Sequence, residues 1–376
     1  MSDLTLILLS AGSSSRFSLD VKKQWLRVEH RPLWQFVADT FAQKKLFAKI
    51  IIVASKDDIA FMQNYTSDYT FVEGGDSRQN SLKNALLHVE TPYVLVNDVA
   101  RACIGERLLN TIIENKAKAD VIVPYLKVTD TIVYEDKTID RDKVKRVQTP
   151  QLSSTSILKK ALETTQEFTD ESSAIVAIGG SRLFVDGEED AHKLTYIHDI
   201  NKLPCLEAPS SDILSGNGFD VHAFDTQGDM WLCGVQIDSD FGFLAHSDGD
   251  VAIHALIDAL LGASGLGDIG MLFPDNDAQY KGIDSKILLE KVVQKLYNYG
   301  FIIINVDVTI AAQKPRIGKY KNEMREVLAN ILHVSKSRVN VKATTTEKLG
   351  FVGRAEGVAV MANANLKYYN WKDDIK

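Results

Sequence analysis

The sequence predicts an α/β chain built as two successive units: a doubly wound, mostly parallel sheet in the first half, then a second unit of strands and helices. Three observations predict it. Short apolar runs alternate with segments of helical period over the first half, the pattern of a parallel sheet covered on both faces. A stretch bearing Pro and Ser without clear period, residues 205–212, separates that half from the rest. Beyond it, Asp220, His222, His246, Asp248, Asp250, His254 and Asp258 crowd into one short region, which holds three of the chain's eight histidines.

The first apolar run, Leu4–Leu9, is broken only by Thr5 and ends at Ser10-Ala11-Gly12, as a buried strand entering a small-residue turn does. Further strands are expected at 50–53, 93–96 and 121–123, with helical patterns between them at 33–43, 77–89 and 106–116. In doubly wound sheets ligands bind beyond the carboxyl ends of the strands. The first such end is SAGSSSRFSLDVKKQ, 10–24. Its small residues let backbone N–H groups approach phosphate oxygens, and Arg16, Lys22 and Lys23 supply the charge a triphosphate needs. Taken alone it also reads as an ordinary Ser-rich loop. GGDSRQNSL (74–82), NDVAR (97–101), VTDTI (128–132) and VQTPQ (147–151) lie at or just after expected strand ends and give it company. No serine in this half sits in a histidine-containing motif, so no protein nucleophile is indicated.

In the second half, Asp220 and His222 of GFDVHAF are two residues apart and share one face of an extended strand. After the S-D-G-D turn, Val251, Ile253, Leu256, Ile257, Leu260 and Leu261 read as a buried helix, with His254 and Asp258 one turn apart on one face. A carboxylate and an imidazole from the strand, facing an imidazole from the helix, make a three-ligand set that suits zinc with one position open. The alternative is a group of core histidines and helix-capping aspartates.

Composition narrows the classes. A chain of 376 residues, 45% hydrophobic and 25% charged, is long enough for two globular domains. No apolar run approaches a membrane span and the N-terminus lacks a basic n-region, so a soluble, cytoplasmic protein without membrane contact is expected. Cys103, Cys205 and Cys233 are an odd number, far apart, which argues against a disulfide framework and against a thiolate metal site. A net charge of -7 speaks against nucleic acid as a partner.

The strand-end motifs of the first half resemble those of the 2-C-methyl-D-erythritol 4-phosphate cytidylyltransferase family: an AAGxGxRxxxxxPKQ loop followed by GGxxRxxSV, HDAARP, DT and TPQ elements. The resemblance spans about residues 4–204 and implies a Rossmann-like nucleotidyltransferase using CTP, methylerythritol phosphate and Mg2+ or Mn2+. It implies that Arg16 and Lys23 hold the triphosphate and stabilise charge at the α-phosphate, and that Ser81 and the Gly74-Gly75 turn contact the cytidine. It gives Asp98 a part in fixing nucleotide and metal, and Arg101, Thr131, Arg141 and Lys193 the grip on methylerythritol phosphate or triphosphate, with Arg146 the rival to Arg141. Ser13, Ser14 and Ser15 replace a family glycine, Lys22 the proline of PKQ, and Ala102 the proline of ARP. No charged group is lost.

GFDVH, FLAHSDGDVAIHALIDALLG, LGDIGMLFPDND and VNVKATTTEKLGFVGRAEG resemble, in order and spacing, the 2-C-methyl-D-erythritol 2,4-cyclodiphosphate synthase family, an α+β fold, over about residues 213–369. This implies Asp220, His222 and His254 as Zn2+ ligands, His246 on a substrate phosphate, and Asp258 behind the ligands, orienting one of them. Asp268, Gly270, Phe273 and Asp275 are implied to line the erythritol pocket. Glu347 of TTTEK is implied to hold Mg2+ or Mn2+, with Thr344, Thr345 and Thr346 as phosphate donors, Thr345 catalytic, and Phe351 and Arg354 nearby. Without the resemblance, TTTEK also reads as a strand followed by a helix capping box. Residues 311–316 correspond to the family's cytosine pocket, with Arg316 where lysine is usual.

The expected layout is a transferase domain at 1–204, a linker at 205–212 and a synthase domain at 213–376. The resemblance implies a bifunctional enzyme of isoprenoid precursor synthesis, in an order interrupted by a kinase step. The chain lacks a GxxxxGK[ST] loop, so association with that kinase is one expected partnership. A homo-oligomer is another, since the synthase family is trimeric and the transferase family dimeric, together suggesting a hexamer. Two alternatives stay open: a nucleotidyltransferase fused to a metal-dependent phosphohydrolase, and one half retained only as an oligomerising scaffold.

Overall fold

The computed structural model describes residues 2–374 except Ser13, Ser18, Gln227, Gly228, Ala245, His246, Asp275 and Lys281, and leaves out the side chains of Ser15 and Ala278. The chain divides into two compact units, Met1–Pro209 together with Asn370–Lys376, and Ser210–Tyr369. Among the described residues no helix is long and apolar enough to cross a membrane.

In the first unit, Leu4–Leu9 lies centrally, parallel to Tyr93–Asp98 on one side and to Lys49–Ala54 on the other, with Thr70–Glu73 beyond at the edge. Leu6, Ile7, Leu8, Ile51, Ile52 and Val53 are consecutive and fully buried, because helices cover both faces of this sheet. On the other side the chain breaks the parallel rule. Gln151–Ser154 runs antiparallel between Tyr93–Asp98 and Val121–Lys127, and Arg182–Asp186 pairs parallel with the far edge of Val121–Lys127. The sequence QLSS has little β-propensity, and burial between two apolar strands imposes the extended state on it. The three anticipated helices form as Leu33–Ala42, Arg78–Leu86 and Glu106–Glu114; Ser77 caps the second by accepting from the Asn80 N–H at 3.1 Å.

Cys103 and Cys205 form a disulfide, which corrects the expectation of unpaired cysteines. The two are 102 residues apart. Only the folded path of the chain brings them together, so their spacing carried no signal. The last segment also folds with this unit: Trp371 is buried and its indole N–H donates to the Arg27 carbonyl at 2.8 Å.

The second unit is a five-stranded sheet in the order Gly242–Phe243, Leu214–Asp225, Gly357–Tyr368, Phe301–Ala311, Val339–Thr344. One face carries the helix Val251–Ser264. The helix lies directly on the strand because Gly216 and Gly218 have no side chains: a Cβ at Gly218 would sit 1.9 Å from the Ala255 carbonyl oxygen, and one at Gly216 would sit 2.0 Å from that of Ala259. The S-D-G-D turn caps the helix as its oxygens suggested. The buried Asp250 carboxylate accepts from the N–H groups of Ala252, Ile253, Cys233 and Gly234. Gly218→Ala must push the helix off the strand, and overpacking of this kind costs about 1–3 kcal/mol or more. Urea denaturation should show that loss, and the affinity for any metal ion held by Asp220 and His254 should fall with it, because Gly218 and Asp220 share the strand on which the helix bearing His254 rests.

Candidate functional sites

Ser10-Ala11-Gly12 leaves the end of the first strand and rims a cavity of about 480 Å³, also lined by Arg16, Lys23, Arg78, Ser81, Asp98 and Lys193. Ser14 adopts the left-handed conformation, φ 59°, that favours glycine. Its hydroxyl offsets the strain by accepting from the Lys23 N–H at 3.0 Å and donating to Gln24 Oε1 at 3.3 Å, so the serine fastens the loop to the segment carrying Lys23. Lys22 does not join the cavity lining. Its ammonium pairs with the buried Asp58 at 3.2 Å, which also accepts from Gln24 and the Trp25 indole. Of the three cations expected to serve a triphosphate, Arg16 and Lys23 line this cavity and Lys22 does not. Burial, and next the charges of Lys193 and Arg16, lower the Lys23 pKa.

At the floor Asp98 is held by Lys193 at 2.5 Å and Arg78 at 3.3 Å. Burial by itself raises its pKa, but these cations outweigh it and hold the carboxyl at about 2. Ser81 Oγ accepts from the Gly75 N–H at 3.0 Å and fixes the glycine turn at the rim. A second cavity of about 360 Å³ shares Arg16 and Lys193 with the first and adds Arg101 and Arg146. Arg101 is anchored by donation to the Ala191 carbonyl at 2.6 Å. Thr131 and Arg141 are exposed and line neither cavity; Arg141 instead donates to the Thr129 carbonyl at 2.5 Å. Between the two candidate arginines, only Arg146 faces a cavity of its own chain.

In the second unit, Asp220, His222 and His254 offer ligand atoms that all lie within 4.8 Å of one another. Asp220 Oδ2 is 3.5 Å from His222 Nδ1 and 3.3 Å from His254 Nδ1. His222 Nδ1 is buried and has no hydrogen-bond partner among the described residues, an orphaned donor atom of the kind a metal satisfies. Burial lowers the His222 pKa. Burial also opposes charge on His254, but its bond to Asp220 and the nearby Asp250 and Asp248 charges win and raise it.

Behind His254, Nε2 lies 3.0 Å from Ser285 Oγ and 3.2 Å from Ser247 Oγ, and Ser285 donates to Asp248 at 2.5 Å. Ser285 and Ser247 thus contact the ring of His254 on the side away from Asp220 Oδ2. Asp258 instead accepts from the Ile269 N–H at 2.8 Å and fixes the turn after the helix. That turn holds Asp268, which caps the short helix Ile269–Leu272 containing Gly270, while Phe273 is buried edge-on against Tyr280. His246 and Asp275 lie outside the described residues.

The structure does not bring TTTEK to this triad within one chain. Thr344 is in register with Ala311, Ala311 with Ala359, and Ala359 with Val221, three strands away, or about 14 Å at ordinary strand spacing. It also falls on the sheet face opposite Asp220 and His222. The motif is not a capping box: Glu347 and Lys348 take left-handed turns, Thr345 donates to Glu347 Oε1 at 3.1 Å, and Thr346 to the Leu349 carbonyl at 2.7 Å. It adjoins residues 311–316 through the Ala312 N–H, which donates to the Thr344 carbonyl at 3.0 Å. Arg316 and Phe351 are exposed there, and Arg354 pairs with Glu356 at 2.7 Å.

Sequence reasoning passed over Arg78, Glu171, Ser247 and Ser285. Arg78 lay in a motif already singled out, whereas Glu171 carried no local signal, because it meets Arg78 across 93 residues of chain.

A cation-lined cavity at the strand ends of a doubly wound sheet defines a nucleotidyltransferase-type unit, here fused to a unit built around a three-residue metal-ligand set. Residues 4–204 match the family 2-C-methyl-D-erythritol 4-phosphate cytidylyltransferase, and residues 213–367 match the YgbB family. The chain is 68% identical over 98% of its length to the bifunctional enzyme IspD/IspF of Sulfurimonas denitrificans, covering 95% of that protein. It is 54% identical over 99% of its length to the Aliarcobacter butzleri bifunctional enzyme IspD/IspF, covering all of it. The solved structure of the bifunctional IspDF from Campylobacter jejuni superposes with a TM-score of 0.92 at 47% identity, over 99% of this chain and 100% of that one. The chain belongs to the family of bifunctional IspD/IspF enzymes.

Proposed function

We propose that this chain catalyses two steps of isoprenoid precursor synthesis. The first unit transfers CMP from CTP to 2-C-methyl-D-erythritol 4-phosphate; the second closes 4-diphosphocytidyl-2-C-methyl-D-erythritol 2-phosphate into the 2,4-cyclodiphosphate with release of CMP. The observation that carries this reading is that one chain holds both a cation-lined strand-end cavity and an Asp-His-His triad, each in the half whose family chemistry needs it.

In the first unit a phosphate oxygen of the acceptor forms a bond to the α-phosphorus, and the α–β bridge breaks with its electron pair leaving on pyrophosphate. Arg16 and Lys23 neutralise the charge that builds at the α-phosphate, and Lys193 and Arg101 hold the acceptor in line. Ser81 and the Gly74-Gly75 turn seat the cytidine. Asp98, which lines the cavity together with Asp76, would hold Mg2+ or Mn2+ there. Thr131 and Arg141, exposed on their own chain, would serve the cavity of a second copy, and Arg146, which lines the second cavity, is the candidate within the chain.

In the second unit Asp220, His222 and His254 would hold a zinc ion, and their two-nitrogen, one-oxygen donor set fits it. Such an ion would supply Lewis acidity. The substrate's own 2-phosphate attacks the β-phosphorus, and the bond to CMP breaks with its electron pair leaving on CMP. Asp268, Gly270 and Phe273 border the erythritol, a role the resemblance also gives Asp275, while it gives His246 a substrate phosphate. Glu347 would hold Mg2+ or Mn2+, and Thr344, Thr345, Thr346, Phe351 and Arg354 border the nucleotide. The separation of TTTEK from the triad supports a homo-oligomer in which one copy completes the site of another. Phe219, Val221 and Met361, 58%, 44% and 50% exposed on the sheet face opposite the triad, offer the apolar surface for a trimer.

The test supplies each substrate separately. With CTP, Mg2+ and methylerythritol phosphate, pyrophosphate should appear in step with the cytidyl product. The second substrate should give the cyclic diphosphate and CMP; a linear hydrolysis product in its place would establish the phosphohydrolase reading.

A further inference from the structure

Four charged side chains run in series through the first unit: Glu171, Arg78, Asp98 and Lys193. The two arginine contacts are unequal. Arg78 Nη1 donates to Glu171 Oε1 at 2.7 Å, whereas Nε and Nη2 both reach Asp98 Oδ1 at 3.3 Å. The guanidinium is thus drawn towards Glu171 and only loosely engaged with Asp98. Glu171 opens the helix Glu171–Ala177, is fully buried, and does not line the cavity. Its second oxygen, Oε2, has no hydrogen-bond partner among the described residues.

A buried carboxylate with one oxygen unsatisfied is a costly way to fill space, and apolar residues of similar volume often serve stability as well or better. Its effect has to be sought in what it does to Arg78. A guanidinium released from Glu171 has one carboxylate left within reach, Asp98, and the favoured geometry for such a pair is short and bidentate. Oδ1 already accepts two 3.3 Å bonds from Arg78 and Lys193 holds Oδ2, so shortening the arginine pair would leave neither oxygen open to another partner.

We propose that Glu171 is a positioning residue of the transferase centre: by retaining Arg78 it limits the guanidinium's hold on Asp98 Oδ1 to two 3.3 Å bonds, which the divalent cation that accompanies the nucleotide can displace. The inference rests on the reading of this cavity as the CTP site. Arg78 is the linking element, and Glu171 acts through it without touching the substrate.

The test compares the full-length protein with Glu171→Gln, which keeps size and removes charge, and with Glu171→Asp. Mn2+ binding in the presence of CTP is read directly by electron paramagnetic resonance, and the Mg2+ dependence of pyrophosphate release is read beside it. Residues behind metal ligands typically change metal affinity 10–100-fold, so Glu171→Gln is expected to weaken Mn2+ binding about 10-fold or more. The Mg2+ needed for half-maximal rate should rise in parallel, while KM for CTP at saturating Mg2+ moves less than about twofold. Glu171→Asp is expected to fall between the two.

Glu171→Gln that binds Mn2+ like the parent overturns the proposal. So does a variant whose only change is a lower melting temperature, with Glu171→Asp unaltered in Mn2+ affinity, since Glu171 then serves stability alone. If the parent itself binds no Mn2+ with CTP, the reading of the cavity fails first, and the proposal falls with it. Cyclic diphosphate formation by the same preparations reports whether the second unit is intact.

Discussion

His222→Ala is expected to lower cyclic diphosphate formation by about 10³-fold or more while leaving CMP transfer within about twofold. Changes behind a metal ligand already cost up to about 100-fold, and loss of one ligand from a set of three exceeds that bound. Truncation breaks no hydrogen bond of Nδ1 among the described residues, although it removes the ring from beside Phe243 and His254. The variant should therefore fold and fail to retain Zn2+. Metal content by mass spectrometry and the cyclisation rate would be measured together; a variant that keeps stoichiometric zinc and normal turnover would remove the triad from the mechanism.

The same site predicts a pH dependence. His254 has its pKa raised, with the favourable pull of Asp220 exceeding the cost of burial, so it holds its proton to higher pH than an ordinary histidine. Metal competes with that proton. Zn2+ affinity should thus rise with pH until His254 is deprotonated and then level off. For the metal-free protein the sign is opposite. The raised pKa contributes stability that is fully present below the unfolded-state value and is lost as pH rises through the folded one.

Lys23→Ala is expected to reduce kcat for CMP transfer by about 10²–10³-fold, the usual cost of deleting one preorganised group that meets developing charge. Ring closure on the same chain serves as the internal control. This loss should come without loss of stability. Burial, reinforced by Lys193 and Arg16, lowers the Lys23 pKa, so its charge opposes folding at neutral pH and the penalty fades only as pH rises towards the ordinary lysine range. Thermal unfolding should place the variant within about 1 kcal/mol of the parent, its one lost contact being the 3.2 Å bond to the Leu194 carbonyl. CTP with Mg2+ should raise the melting temperature of the parent far more than that of the variant. A variant that melts much lower and transfers CMP normally would make Lys23 a structural residue.

Particular residues show why some of this was legible in the chain and some was not. Asp220, His222 and His254 could be read together because strand and helix periods are local: two residues along a strand share a face, and a capped helix follows within thirty positions. The strands Leu4–Leu9 and Tyr93–Asp98 were legible because burial on both faces leaves an unbroken apolar run. Gln151–Ser154 was not, because its extended state comes from the strands on either side. Lys22 and Lys23 are neighbours of one type, and only the buried Asp58 separates their roles.

By itself, then, the sequence determined the fold class, the two halves and the inventory of charged and ligating groups, since these follow from period, composition and short-range spacing. Tertiary structure decided which groups meet. It paired Cys103 with Cys205, gave His254 its support from Ser285 and Ser247, and set Arg78 between Glu171 and Asp98. It also put Thr344 on the sheet face opposite Asp220 and His222, three strands away. Each of these is a contact between distant positions, fixed by the packing of whole elements.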